Sequence, residues 1–435
     1  MTFKTVRELR DYCRLNGYKI DFSDSKEVFS KKKTVGKTVL QNSCAILPME
    51  GNDANGDGSP SALTQRRYLR FAASGAALIW FEAVSVVREG RASPCQLFLT
   101  NESIDSFRAL IENIKEEGLR ANGFAPCVIA QLTHSGRYAK PEGPPKPVIA
   151  AHNPLLDEKY SIPAEYPVIG DDALAALEED FIRGAKLAQQ AGFDGVDLKA
   201  SHGYLLSELL SAFTREGIYG GSYEGRTRFL KNIIKKVRET VHPDFLVASR
   251  LSVYDSLPWP YGFGMKADGS ANPEFEEPIR LIQEIRELGV DFIGITMGNP
   301  YIYPHVNRPF ATGAYTPPEE PLAGVSRFLE YTAQVKQAAP SMPVVGAGFS
   351  YLGQFGAQAA AYELETGHMD IMGIGRQAFA YPQFVRDVLD QKEPDAKKLC
   401  VACSKCTQIM RSGGPAGCVV RDAEVFMPIY RQYCK

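Results

Sequence analysis

The sequence has no run approaching about 18 uninterrupted apolar residues, so no membrane-crossing helix is expected. Its N-terminal stretch, MTFKTVRELRDYCRLNGYKIDFSDSKEVFSKKK, lacks the apolar core of a secretory signal. Charge of one sign never accumulates: 49 basic and 51 acidic residues leave a net charge of −2, without long blocks of either. A nucleic-acid or membrane surface is therefore not expected, and the expected compartment is the cytoplasm. A short-period repeat is absent too. Cysteine is sparse over most of the chain, with Cys13, Cys44, Cys95, Cys127 and Cys434 scattered singly. The other four, Cys400, Cys403, Cys406 and Cys418, crowd into one short stretch. In a reducing compartment such a crowd points to a metal site before a disulfide framework.

What is present is alternation. Short apolar runs recur along the chain: NSCAILPM, GAALIWFEAVSV (Gly75–Val86), APCVIAQLTHSG (Ala125–Gly136) and GFDGVDLKASHG (Gly192–Gly203). DFLVASRLS (Asp244–Ser252), GVDFIGITMG (Gly289–Gly298), MPVVGAGFS (Met342–Ser350) and MDIMGIGRQ (Met369–Gln377) complete eight candidate strands. Amphipathic helical stretches separate them. In SIDSFRALIENIKEEG, Ser103 is placed to cap the N-terminus, and Ile104, Phe107, Leu110, Ile111 and Ile114 share one stripe. Parallel neighbours need long crossovers, so the pattern predicts a parallel sheet with helices between the strands. Eight units suit a closed (β/α)8 TIM barrel of the α/β class better than the rival, an open doubly wound sheet. Residues 1–37 read as an N-terminal leader, 38–393 as the barrel and 394–435 as a small Cys-rich C-terminal lobe.

In such a barrel the chemistry gathers at the C-terminal strand ends. Strand one closes at Pro48, Met49 and Glu50, strand two at Glu82 and Ala83, and strand three at Gln131 and the residues after it. Strand five supplies Arg250. The Gly-rich turns after strands seven and eight, with Gly348, Ser350, Gly375 and Arg376, fit a phosphate cradle. Gln131 and Arg250 together offer an amide and a fixed positive charge to a planar heterocycle with an imide edge. Lys199, His202 and Tyr204 crowd the exit of strand four, where a lysine ending an apolar strand demands a partner.

These residues carry a resemblance. Residues 35–390 resemble the Old Yellow Enzyme family of FMN-dependent ene-reductases. AQLTHSGR looks like its strand-three signature, and HGYLLSELLSAFTREGIYGGSYEGRTRFL like its strand-four signature, with Gly225 where Asn is typical. GIGRQ resembles its phosphate turn. The likeness extends to the 2,4-dienoyl-CoA reductase branch, without that branch's C-terminal nucleotide-binding domains. The resemblance implies that Gln131 and Arg250 hold the pyrimidine edge of FMN, with Pro48, Met49 and Ala83 along its rim. Gly348, Ser350, Gly375 and Arg376 would hold the phosphate. The implied reaction takes hydride from NAD(P)H through flavin N5 to the β carbon of an α,β-unsaturated carbonyl compound. His202 would bind the carbonyl, and Tyr204 would give the α carbon its proton.

Two departures stand out: Lys199 where the family commonly has His, and Glu50 where Thr or Cys is common. A cation at Lys199 would strengthen enolate stabilisation or grip a substrate carboxylate, and Glu50 would lower a flavin's potential. The loop GNPYIYPHVNRP (Gly298–Pro309) is the candidate lid, with Tyr303 and His305 as substrate contacts. The implied partner is a small unsaturated carbonyl compound, with a homo-oligomer left open.

The cysteine spacing is C-x2-C-x2-C-x11-C, which can hold a [4Fe–4S] cluster, a structural zinc, or remain free thiols. Relatives of the dienoyl-CoA reductase and trimethylamine dehydrogenase type carry a cluster just after the barrel, but with a second interval of x3. Two other functions stay open: an FMN/iron–sulfur dehydrogenase or demethylase using a separate electron carrier, and a non-catalytic barrel binding a phosphorylated ligand.

Overall fold

The computed structural model describes residues 3–434. Residues 1, 2 and 435, the outermost positions of the expected leader and lobe, lie outside the described residues. Eight parallel strands close on themselves: β1 (Cys44–Ile46), β2 (Leu78–Ser85), β3 (Cys127–Thr133), β4 (Gly195–Leu198), β5 (Leu246–Ser252), β6 (Phe292–Thr296), β7 (Val344–Gly346) and β8 (Ile371–Ile374). Closure comes from β8 pairing β1, Met372 opposite Cys44 and Ile374 opposite Ile46. That ring excludes the open sheet. Every expected strand is present.

The runs are continuously apolar because both faces are covered, one by helices and the other by the barrel interior. Alternation divides them. Ile46, Ile79, Phe81, Val128, Ala130, Val196, Leu198, Val247 and Ile293 face the helices and join the large outer core. Ala45, Leu78, Trp80, Ile129, Ala248, Phe292, Val345 and Ile371 form the inner core. Side chains two apart share a face. The inner column therefore climbs from Ile129 to Gln131 and from Ala248 to Arg250, and on β4 between them from Asp197 to Lys199. Polar groups reach the mouth because they continue an apolar inner face.

The helix Ile104–Asn122 buries Phe107, Leu110, Ile111 and Ile114, with Ile104 packed alongside. Ser103 does not cap it. Its backbone is already helical, and its hydroxyl donates to the Phe98 carbonyl at 3.0 Å. The leader folds onto the barrel through helix Val6–Leu15, capped by Thr5 and burying Leu9 and Cys13. A hairpin of Lys33–Val35 and Thr38–Leu40 straddles the boundary expected at residue 38. Its Val35 and Leu40 plug the inner core from below.

After the barrel, helices Lys405–Arg411 and Ala423–Tyr433 enclose a small core of Ile409, Val419 and Phe426. Asp422 ties this segment to the helix Ala62–Ala72, accepting from Arg66 at 2.7 and 2.8 Å and from Arg70 at 2.5 Å. No helix among the described residues is long and apolar enough to cross a membrane.

Candidate active site

The strand-one exit is fixed by an irregularity in the sheet. Between β2 and β3 the register shifts at Phe81/Ala83, which leaves Glu82 at a bulge. Bulges of this kind re-aim a side chain. Glu82 accepts from the Gly51 amide at 2.6 Å and from the Tyr68 hydroxyl at 3.2 Å. It also pairs with Arg67, which grips Asp53 as well. Burial pushes the Glu82 carboxyl up to about 7, with Arg67 opposing and Asp53 adding to the shift. Gly51, Asn52 and Asp53 are thereby pinned, and Glu50 just before them is aimed over the mouth.

There Glu50 meets strand four. Lys199 Nζ donates to Glu50 Oε1 at 3.1 Å. The Tyr204 hydroxyl donates to the same oxygen at 3.1 Å and stands 3.2 Å from the Tyr301 hydroxyl. Lys199 Nζ also lies 3.7 Å from the Tyr204 ring centroid, a cation–π contact. Burial, then Glu50 and Tyr301, push the Tyr204 phenol well above its ordinary value. Burial pulls Lys199 down, and Glu50 works against that. Lys199 is thus paired from within.

His202 occupies the left-handed region at φ 66°, which few side chains tolerate. That turn brings its Nε2 to 3.3 Å from Thr296 Oγ1 at the end of β6. Burial and the charges of Arg250 and Lys199 hold the ring well below the usual imidazole value, hence neutral. Gly203 follows at φ 70°, and a Cβ there would lie 2.3 Å from Asn299 Nδ2. Only glycine fits.

On the inner face, Asp197 accepts from Trp80 Nε1 at 2.8 Å, Gln131 Nε2 at 2.6 Å and the Arg250 amide at 2.7 Å. Burial nonetheless lifts its carboxyl to about 6. The Gln131 amide is oriented by this contact. Arg250 is pulled down to about 10 by burial, opposed by Asp197, and its guanidinium forms no ion pair among the described residues. It is a free positive charge at the mouth.

A second uncompensated group lies beyond strands seven and eight. Arg376, 8% exposed, donates from Nη2 to the Pro309 carbonyl at 2.8 Å, while its buried Nη1 has no partner among the described residues. Burial pushes Arg308 down to about 9, helped by Arg376 and Arg411. Burying unpaired charge costs several kcal/mol, so this corner calls for an anion. Gly348 takes φ 104° in the turn beside it, and Ser350 lies in the first turn of the short helix Phe349–Phe355 that follows. A Cβ on Gly375 would stand 3.1 Å from Met49 Sδ, so the glycine keeps the corner open. Ala83 and Pro48 are both buried. The residues present fit a flat heterocycle with a phosphate tail.

The lid residues divide differently from expectation. Tyr301 meets Tyr204 and stacks on Tyr138 at 3.7 Å and 12°. Tyr303 packs beside the inner core, and His305 is engaged by Tyr315. Sequence reasoning missed Tyr301 and Arg308, although both lie in the quoted loop; their aromatic and cationic character was the available signal. The expected metal centre is not formed: among the described residues no group of three or more His, Cys, Asp or Glu is arranged to hold an ion. Cys400, Cys403, Cys406 and Cys418 are free thiols, with Cys400 pushed up to about 11 by burial. As placed they form no ion-holding group, although Cys406 and Cys418 lie close enough to act on the Cys400 thiol. Their segment also clasps the mouth. Ala416 N donates to Gly51 O at 2.6 Å, Asn52 Nδ2 to Gly414 O at 3.0 Å, Ala311 N to Ala402 O at 3.0 Å and Cys400 N to Gln377 Oε1 at 3.0 Å.

Fold and mouth together define a TIM barrel built to hold a planar, phosphate-bearing cofactor beside an acid. The model of the NADH:flavin oxidoreductase / NADH oxidase family matches residues 33–395, and the chain belongs to that family. It is 25% identical to the NADH oxidase of Thermoanaerobacter brockii, over 85% of this chain and 52% of that protein. It is 30% identical to the NADPH dehydrogenase of Listeria welshimeri, over 66% of this chain and 79% of that one. A solved 2-naphthoyl-CoA reductase in complex with 2-naphthoyl-CoA superposes with TM-score 0.73 at 21% identity, covering 94% of this chain and 58% of that chain; this is a likeness of fold. The chain spans about half the length of the first of these relatives, 52%.

Proposed function

We propose that the chain is an FMN-dependent NAD(P)H oxidoreductase that reduces the carbon–carbon double bond of α,β-unsaturated carbonyl compounds, with Tyr204 as proton donor. One observation carries this reading: a buried phenol, Tyr204, shares the mouth with a guanidinium, Arg250, that forms no ion pair among the described residues. Arg376, Arg308, Gly348, Ser350 and Gly375 would hold the phosphate. Gln131 and Arg250 would face the pyrimidine edge, with Pro48, Met49 and Ala83 along the rim. Bound FMN supplies a hydride acceptor and donor between NAD(P)H and the β carbon. Arg250 offsets negative charge that develops beside it. Neutral His202 donates a hydrogen bond to the substrate carbonyl, where charge accumulates as the double bond is reduced. Tyr204 gives its proton to the α carbon. The nine free cysteines suit a reducing compartment such as the cytoplasm.

The test separates two half-reactions in the FMN-loaded protein by anaerobic stopped-flow. Tyr204→Phe should leave flavin reduction by NAD(P)H near the parent rate. It should slow reoxidation by an enone by about 10²–10⁴-fold, the usual contribution of a general acid. Equal loss in both half-reactions, or none in the second, refutes the assignment.

A further inference from the structure

Glu50 and Lys199 stand 149 positions apart in sequence and meet at 3.1 Å in space. Their contact has a common object. Lys199 Nζ lies 3.7 Å from the centroid of the Tyr204 ring, and the Tyr204 hydroxyl donates to Glu50 Oε1 at 3.1 Å and Oε2 at 3.4 Å. A cation over the ring favours the phenolate, whereas a carboxylate accepting from the hydroxyl favours the phenol. The two charges act on one group with opposite sign.

We propose that Glu50 and Lys199 are positioning residues that work as a compensated charge pair, orienting the Tyr204 hydroxyl and setting its acidity. The inference rests on Tyr204 being the proton donor. In the step it serves, the Tyr204 O–H bond breaks, the proton goes to the substrate α carbon, and the electron pair stays on the phenolate oxygen. Lys199 then stabilises that phenolate. A proton from water, passed through the Tyr301 hydroxyl at 3.2 Å, restores the phenol.

Burial and the Tyr301 hydroxyl also raise the Tyr204 phenol, while Glu50 and Lys199 are the two charged groups in direct contact with it. Tyr138 and Tyr301 face Tyr204 with ring centroids at 6.1 and 6.2 Å, and both are neutral phenols. His202, two positions earlier, is neutral as well. Arg250 acts on Lys199, and Arg411 on Tyr301, each at one remove from the Tyr204 oxygen. The Lys199 charge is met by Glu50 within the chain.

The test is an ultraviolet pH titration of tyrosinate in the FMN-loaded full chain, each protein measured against its own Tyr204→Phe counterpart so that only Tyr204 is read. Glu50→Gln leaves Lys199 unopposed and should bring the Tyr204 titration down by about 1 pH unit or more. Lys199→Met leaves Glu50 unopposed, should move the titration upward, and should slow enone reoxidation by at least about 10-fold. Glu50→Gln with Lys199→Met should return the titration toward the parent. Should a single variant fail to fold, Glu50→Asp, which keeps the charge but withdraws it from the hydroxyl, should give a smaller downward shift. Single variants that leave the titration within about 0.3 unit of the parent, or that move it in the same direction, overturn the proposal. Turnover surviving in Tyr204→Phe would remove the proton-donor reading, while the titration shifts would still decide whether the pair tunes the phenol.

Discussion

Arg376→Met separates a structural arginine from one held in reserve for an anion. In the protein without cofactor, Arg376 contributes one hydrogen bond, from Nη2 to the Pro309 carbonyl, and leaves Nη1 buried and unpartnered. Losing that bond costs about 1 kcal/mol. Against this, the variant removes an unpaired buried charge and relieves Arg308, which Arg376 helps push down to about 9. The stem volume is retained by methionine. The cofactor-free variant should therefore unfold within about 1 kcal/mol of the parent. FMN binding should behave otherwise. A charge-assisted hydrogen bond from the free Nη1 to a phosphate oxygen is worth about 1.5–3 kcal/mol, a roughly 10- to 150-fold rise in dissociation constant. Fluorescence titration with FMN and with riboflavin measures both sides, because riboflavin has no phosphate. FMN should weaken by that factor and riboflavin should hardly change. Equal weakening of both ligands, unchanged FMN affinity, or a cofactor-free variant that loses several kcal/mol would refute the reasoning.

Other outcomes follow from the same geometry. Asp255 is buried, accepts from Ser252 Oγ at 2.7 Å and Phe263 N at 2.9 Å, and is lifted from 3.8 to about 6 by burial. The folded form keeps its proton to a higher pH than the unfolded chain. Its stabilising contribution is therefore full below about 3.8 and lost as pH rises through about 6, about 3 kcal/mol at most. Denaturant unfolding of Asp255→Asn between pH 4 and 7 should fall less steeply than the parent; equal slopes would refute the shift. Gly203→Ala faces both a φ of 70° and a Cβ 2.3 Å from Asn299 Nδ2, so it should cost about 1–3 kcal/mol in calorimetric stability. Because Asn299 holds the Tyr138 hydroxyl at 2.9 Å, the displaced amide should also disturb the Tyr138–Tyr301 stack, and a variant as stable as the parent would contradict this.

Much of this protein is legible before any coordinates. The eight strands announce themselves because a parallel strand covered on both faces must be apolar throughout, and the helices between them because their stripes recur with helical period. Gln131 and Arg250 stand out as polar ends to such runs. What periodicity cannot carry is proximity between distant segments. Glu50 and Lys199 read as two separate oddities until closure puts one against the other. Tyr301 was overlooked beside Tyr303 and His305 because a loop has no period from which to infer which of its aromatic residues turns inward. Ser103 has the residue type of a cap, yet the preceding turn claims its hydroxyl for Phe98. The cysteine spacing suggested ligands, and no spacing could show that the same segment also bonds the mouth at Gly51, Gln377 and Ala311.

That hoop of contacts has a consequence for biosynthesis. Residues 400–416 emerge from the ribosome after every barrel strand, yet they bond the rim at Gly51 and Asn52, which emerged near the beginning. A nascent chain can assemble its sheet while the rim stays unfastened. The final fastening joins positions more than 360 apart, 362 for Asn52 and Gly414, so it cannot form until almost all of these 435 residues have been made.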